Sequence, residues 1–350
     1  DTRTYTIVNT VDVLEHWVIL ARTAGIIAID TETTNLTPAC ADLVGISLCV
    51  TLGTAAYIPV GHRASTDLFG GDDNQKPIAQ LPIHTVMRIL KPILEDRSIL
   101  KIGHNIKYDL QMFYPHGVNI FPVADTMLLS YALDNSAHGH GLEELGRDML
   151  GMETISYDAV TGTGKSRITF DMVPIDRARD YAAEDADLTM RLYNVLRPRL
   201  DIEQTNKIYA DIDLPVVPAI ARMEYTGVRV DTDLLRGLSN DFGQQLAVLE
   251  TDIQTAAGHP FNVNSPKQLG TVLFDELGLQ GGARTKTGDW STSADILEGL
   301  ADQGHVIVQK ILDYRGLSKL KSTYTDALQT AINPRTGRVH TSYGLALTST

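Results

Sequence analysis

The chain has 350 residues, with 30 Lys plus Arg against 43 Asp plus Glu and a formal net charge of −13. Its 43% hydrophobic content is enough for packed cores, which excludes global disorder, and the length suggests two domains. The longest apolar runs, residues 25–29 and 43–50, fall far short of the roughly 18 to 20 residues of a membrane span, and the two cysteines, Cys40 and Cys49, make neither a disulfide framework nor a zinc site. No membrane partner is expected. Asp1 opens neither an export signal nor a natural start, so the expectation is a soluble protein of a reducing, cytoplasmic compartment with upstream sequence missing. The acidic sum argues against a nucleic-acid partner, since phosphate binding leaves a basic footprint. The charge is uneven, however. Residues 303–350 carry six basic side chains (Lys310, Arg315, Lys319, Lys321, Arg335 and Arg338) and only two acidic ones.

In chain order, Ile26-Ile-Ala-Ile-Asp30 is a short apolar run of the kind found in a buried strand, and residues 43–50 and 55–60 read as its neighbours in a sheet. A polar loop is expected over residues 61–76. A helical pattern covers 83–95, a strand returns at 99–102, and helices start near Asn105, Gly141 and Ile175. At Arg197-Pro198 the character changes. Helical periodicity then dominates through 214–224 and 233–257, with Gly227 as a stop between them. Ser265-Pro266 reads as an N-cap followed by proline at the first helical position, and Ser293 as a second cap. Asn333-Pro-Arg-Thr-Gly337 is a turn, and residues 338–350 alternate like a strand. The reading is an α/β domain over residues 1–200 and a mainly α-helical segment over 201–350.

Three constellations carry chemistry. Asp30-Thr31-Glu32 ends the apolar strand, and strand alternation puts both carboxylates on one face, about 7 Å apart along the strand. Anions at the end of an interior strand are costly unless paired or metal-bound. His104-Asn-Ile-Lys-Tyr-Asp109 follows a strand and opens a helix, with Asn105 as its expected cap and Asp109 facing back toward the sheet edge. Tyr181-Ala-Ala-Glu-Asp185 stacks a hydroxyl and a carboxylate at i, i+4 on one helix face, leaving Glu184 and Asp187 on other faces, where they are read as solvated. Two further features are set aside. Ala159-Val-Thr-Gly-Thr-Gly-Lys165-Ser166 fits a relaxed phosphate-loop pattern but lacks the strand and helix that the mechanism needs, and His138 and His140 read as solvated loop histidines.

Together these motifs resemble those of the DEDD-type 3′–5′ exonucleases, the tyrosine marking the DEDDy subclass. The resemblance implies a ribonuclease-H-like fold in which Asp30, Glu32, Asp109 and Asp185 hold two divalent cations. Asp30, Glu32 and Asp185 would bind the one that activates water, Asp30 would bridge to a second near Asp109, and Tyr181 would orient the attacking water. Four anions in one cleft raise one another's pKa unless cations neutralise them. Mg²⁺ suits an all-carboxylate set, with Mn²⁺ as the alternative. The family also implies substrate-binding roles for Leu36, His104, Asn105 and Tyr157, of which Leu36 and Tyr157 lie against the terminal bases.

Beyond residue 200 the sequence resembles the thumb of the family A DNA polymerases, the bacterial DNA polymerase I type. The resemblance is carried by Ile212-Asp-Leu-Pro-Val-Val-Pro, Glu224-Tyr-Thr-Gly-Val-Arg-Val-Asp231, Ser265-Pro-Lys-Gln-Leu269, Tyr314-Arg-Gly-Leu-Ser-Lys-Leu-Lys-Ser-Thr-Tyr324 and Asn333-Pro-Arg-Thr-Gly-Arg-Val-His-Thr-Ser-Tyr343. It implies a grip on the phosphates of a primer-template duplex by Arg315, Lys319 and Lys321, and a bacterial, nucleoid-associated or phage setting. The palm motifs Asp-Tyr-Ser-x-x-Glu and His-Asp-Glu do not occur, so the expectation is an exonuclease domain and most of a thumb, cut from a larger or split polymerase whose palm and fingers are partners. Two alternatives remain: an RNA-trimming exonuclease related to ribonuclease D, and a catalytically silent DNA-holding module.

Overall fold

The computed structural model describes residues 3–63, 79–136 and 139–347. Most of the loop expected at 61–76, His138 and residues 348–350 therefore lie outside the described residues. The chain forms two compact units, Asp1–Gly227 with His340–Thr350, and Val228–Val339.

The first unit runs β1 (Thr4–Ile7), α1 (Val11–Ala24), β2 (Ile26–Thr33), β3 (Leu43–Thr51), β4 (Thr54–Pro59), α2 (Ile83–Leu94), β5 (Leu100–Gly103), α3 (Lys107–Phe113), β6 (Val123–Asp125), α4 (Thr126–Leu133), α5 (Leu142–Leu150), α6 (Tyr157–Thr161), α7 (Ile175–Ile202), α8 (Asn206–Ile208) and α9 (Leu214–Thr226). Its six strands form one mixed sheet in the order β1-β4-β3-β2-β5-β6. β3 is antiparallel to both of its neighbours, whereas β2, β5 and β6 run parallel. Two layers of apolar side chains sort the faces of β2. Ile27 and Ile29 join Leu14 and Trp17 of α1 and Leu90 and Ile93 of α2 in the main core. Ala28 faces the other way, among Ala183, Ala186 and Met190 of α7. Alternation then carries Asp30 and Glu32 onto the α7 face. Small residues on both surfaces, Ala28, Ala55 and Ala124 against Ala183 and Ala186, let that helix lie close to the sheet. Gly45 on β3 leaves room for the Tyr57 ring of β4: a Cβ there would fall 2.1 Å from the Tyr57 hydroxyl.

The expected strands and helices are present, with differences at three places. α7 does not end at Arg197-Pro198; Pro198 is exposed and lies inside a helix that continues to Ile202. Packing also runs on past residue 200, because Tyr209, Val217 and Ala221 enter the main core of the first unit. The strand expected over 338–350 shrinks to two residues, since the polar groups of 340–343 are used in side-chain bonds instead of a ladder.

The second unit is mainly helical, as expected: α10 (Thr232–Ala257), α11 (Pro266–Gly270), α12 (Ala294–Asp302), α13 (Val306–Leu320) and α14 (Ala327–Thr330), closed by a hairpin of β7 (Ile332–Asn333) and β8 (Arg338–Val339). Ser265 caps α11 through Gln268 N, with Pro266 at the first position; Ser293 precedes α12 without a side-chain cap bond. The core gathers Ile253, Leu269, Leu273, Leu297, Val308 and Ile311.

Candidate active site

The end of β2, the start of α3 and the middle of α7 enclose a cavity of about 400 Å³ lined by Asp30, Thr31, Glu32, Thr33, Asn35, Leu36, His104, Asn105, Tyr108, Asp109, Tyr157, Tyr181 and Asp185. All nine residues proposed from sequence for this half of the chain thus converge. One carboxylate oxygen from each of Asp30, Glu32 and Asp185 lies within 4.8 Å of the others. Asp109 enters from α3 and is held by the Thr31 hydroxyl, which donates to its Oδ1 at 2.5 Å.

Burial sets the electrostatics. It is the largest cause raising all four carboxyls: Asp30 to about 7, and Glu32, Asp109 and Asp185 well above the usual range, with the Asp30 charge adding to the rise of the other three. The donors are all hard oxygens, buried except for the half-buried Asp30, close together and costly to ionise as a group. That is the donor set of a divalent cation such as Mg²⁺, which neutralises the cluster where protons otherwise must. Tyr181 donates its hydroxyl to Asp185, and burial, then the Asp185 charge, pushes the phenol up, so it stays protonated. Its ring meets Tyr157 edge-on at 6.0 Å, with Phe170 behind both. Leu36 stands 88% exposed at the rim. Burial lowers His104 to about 4, leaving a neutral ring whose Nδ1 lies 2.9 Å from Thr126 Oγ1.

Four sequence readings are corrected. Asn105 does not cap α3 with its side chain; it takes φ 54, and its backbone N–H donates to Asp125. Asp125, which the sequence reading missed, accepts from the N–H groups of Asn105, Ile106, Met127 and Leu128, pinning the β5–α3 turn to the start of α4. The signal was there: an Asp directly before the apolar run of α4 is an N-cap. Glu184 and Asp187 are buried rather than solvated, because every residue from 182 to 190 is buried. Glu184 pairs with Arg3 and accepts Ile155 N–H; Asp187 accepts Gly53 N–H at 2.7 Å and Arg191 Nε at 3.1 Å. His140 is not a solvated loop residue, since its Nδ1 lies 2.9 Å from Ser130 Oγ. The set-aside segment 159–166 begins inside α6 and is not preceded by a strand, as its dismissal as a phosphate loop requires.

In the second unit, Arg315 donates to the carbonyl and hydroxyl of Thr292 and Lys321 pairs with Asp326 at 2.7 Å, whereas the Lys319 side chain is exposed.

Comparison with known proteins agrees with this geometry. Residues 5–201 match the family described as 3′-5′ exonuclease, and residues 232–350 match DNA polymerase family A. The chain is similar to DNA polymerase I of Rhizobium leguminosarum, with 45% identity covering 100% of this chain and 35% of the relative. It is also similar to DNA polymerase I of Pseudomonas aeruginosa, with 41% identity covering 96% of this chain and 36% of the relative. The chain thus spans about a third of the length of these relatives. In fold it is similar to the POL domain of Pol1 from M. smegmatis, solved in complex with DNA primer-template and dNTP, at a TM-score of 0.75 and 23% identity over 97% of this chain and 52% of that one. No helix among the described residues is long and apolar enough to cross a membrane.

Proposed function

The chain belongs to the 3′-5′ exonuclease family, continued here by sequence of DNA polymerase family A, and on that premise we propose that it is the proofreading part of a DNA polymerase. It hydrolyses the 3′-terminal phosphodiester of a frayed or single DNA strand and releases nucleoside 5′-monophosphates. The observation that carries this reading is the meeting of Asp30, Glu32, Asp109 and Asp185 with Tyr181 in one cavity.

Asp30, Glu32 and Asp185 would hold one divalent cation and Asp30 with Asp109 a second, Mg²⁺ or Mn²⁺. Bound there, the cations supply a nucleophile at neutral pH and a clamp on the attacking and leaving oxygens. The chain's own groups do the rest. Tyr181, kept neutral and hydrogen-bonded to Asp185, presents an oriented hydroxyl to the attacking water. Leu36 and Tyr157 flank the terminal bases, a contact that tolerates any base. His104, neutral, and Asn105 offer polar contacts to the terminal nucleotide. In this reading the chain is an exonuclease domain over 1–200 followed by thumb over 201–350, with Arg315, Lys319 and Lys321 as duplex contacts and Lys319 the most accessible of them. The setting is the bacterial cytoplasm, at the nucleoid, with the palm and fingers of the same enzyme as partners. An RNA-trimming exonuclease shares the carboxylates but has no use for the helical unit of residues 228–339, which favours DNA.

The test is degradation of a 5′-labelled single-stranded oligonucleotide with Mg²⁺, following the shortening ladder. Asp185→Asn should lower the rate by on the order of 10³-fold while the far-ultraviolet circular dichroism stays unchanged. Cleavage by that variant near the parent rate would sink the site assignment, and faster cleavage of a matched RNA would reassign the substrate.

A further inference from the structure

A second, smaller cavity adjoins the first and shares Leu36, Asn105 and Tyr108 with it. At its floor lies a buried ion pair that the proposed chemistry does not use. Lys107 on α3 and Glu224 on α9 meet at 2.5 Å, with side chains 6% and 4% exposed. Every polar atom of the pair is bonded. Glu224 accepts Lys107 Nζ and Tyr343 N–H on Oε1 and Gln111 Nε2 on Oε2, while Lys107 also donates to Ser342 Oγ and the Tyr343 carbonyl. His340 Nδ1 lies 2.8 Å from the Glu224 backbone carbonyl, tying down the other end of the same segment.

The geometry of α3 gives this network its meaning. Lys107 and Gln111 stand one turn apart on one face, and both are fastened to the same carboxylate, which fixes the rotation of the helix about its own axis. Asp109 follows Lys107 by roughly 200° of helical turn and so faces away from that carboxylate, toward the first cavity. There the Thr31 hydroxyl takes hold of it. α3 spans only seven residues and has no side-chain cap; Leu110, Met112 and Phe113 seat it in the main core, and the bonds to Glu224 add a directional tie to that packing. Apolar side chains of similar volume would fill the same space without setting an angle, whereas a fully bonded buried pair does.

Resting on the exonuclease reading above, we propose that Glu224 is a positioning residue for the active site: through Lys107 and Gln111 it sets the angle of α3, and with it Asp109 and Tyr108. It does so only when residues 340–343 supply their partners, the His340 ring, the Ser342 hydroxyl and the Tyr343 backbone. The residues matching the exonuclease family end at 201, so this support comes entirely from outside that match.

The test uses the full 350-residue chain. Glu224→Ala should lower kcat on single-stranded DNA by about 10- to 100-fold with little change in KM, because misplacement of a reacting group by an ångström has effects of that size. It should also weaken Mn²⁺ binding, measured by calorimetry, at least fivefold. Hydrogen exchange should show α3 amides losing protection while those of β2 and α7 keep theirs. Glu224→Gln keeps the shape and the acceptor for Lys107 and Tyr343 N–H but sets an amide nitrogen against the Gln111 donor, so it should recover part of each loss. Should Glu224→Ala fail to fold, the double variant Lys107→Met with Glu224→Met leaves no unpaired charge; it should fold and still show the low kcat and weak Mn²⁺ binding. Parent-like exchange in α3 and parent-like Mn²⁺ binding in a folded Glu224→Ala, or in the double variant, would overturn the proposal. If the parent itself degrades no DNA, the functional reading fails, and the exchange and calorimetry still decide the role of Glu224.

Discussion

Asp30→Asn should inactivate the protein and, without divalent ions, make it more stable as the pH rises. The Asp30 carboxyl is raised from 3.8 to about 7, chiefly by burial. A folded pKa above the unfolded one means that folding takes up a proton between the two values, so this group's contribution is fully present below 3.8 and is lost as pH climbs through about 7. At about 1.4 kcal/mol per pKa unit, the cost of folding with Asp30 is small at pH 5 and rises to a few kcal/mol at pH 8. Asparagine has the same shape and no charge, so the variant should be the more stable of the two, its advantage growing by on the order of 2 kcal/mol across that range. The assay is urea unfolding in EDTA at pH 5, 6, 7 and 8. Trp17 is buried in the first unit and Trp290 lies in the second, so a Trp290→Phe background makes tryptophan fluorescence report the first unit alone. Excess Mg²⁺ at pH 8 should stabilise the parent and leave the variant nearly unmoved. A stability difference flat in pH, or a variant less stable than the parent at pH 8, would refute the account of the cluster as desolvated charge awaiting a cation.

Tyr181→Phe should keep Mn²⁺ affinity within about threefold by calorimetry while kcat falls on the order of 10²-fold, since it removes only the oriented hydroxyl; an equal loss in metal binding would count against that role. Asp125→Ala leaves four backbone N–H groups without their acceptor and should destabilise the first unit by about 3 kcal/mol or more in the same urea assay, with α3 and the start of α4 losing exchange protection first. A loss below about 1 kcal/mol would mean that water replaces the carboxylate.

The site was more legible than its supports. Asp30, Glu32, Tyr181 and Asp185 stand at strand and helix spacings that pair them on shared faces, and the resemblance to the exonuclease motifs joins those pairs into one site. The burial of Glu184 and Asp187 was hidden for the opposite reason. One-faced helical reasoning fails on α7, where residues 182–190 are enclosed all round and polar side chains must be bonded inward. The Lys107–Glu224 pair joins residues 117 positions apart and is completed by backbone 119 positions further on, so no window along the chain contains it.

The alanines between α7 and the sheet carry a consequence for any change made to this protein. Ala183 and Ala186 offer no ligand atom, yet they are the spacers between α7 and the sheet that set how near Asp185 comes to Asp30 and Glu32. One added methyl group on that surface would widen the gap by a fraction of an ångström and would be read by the cations as a different cage. Ion preference can therefore drift through substitutions in the apolar layer while every carboxylate stays in place.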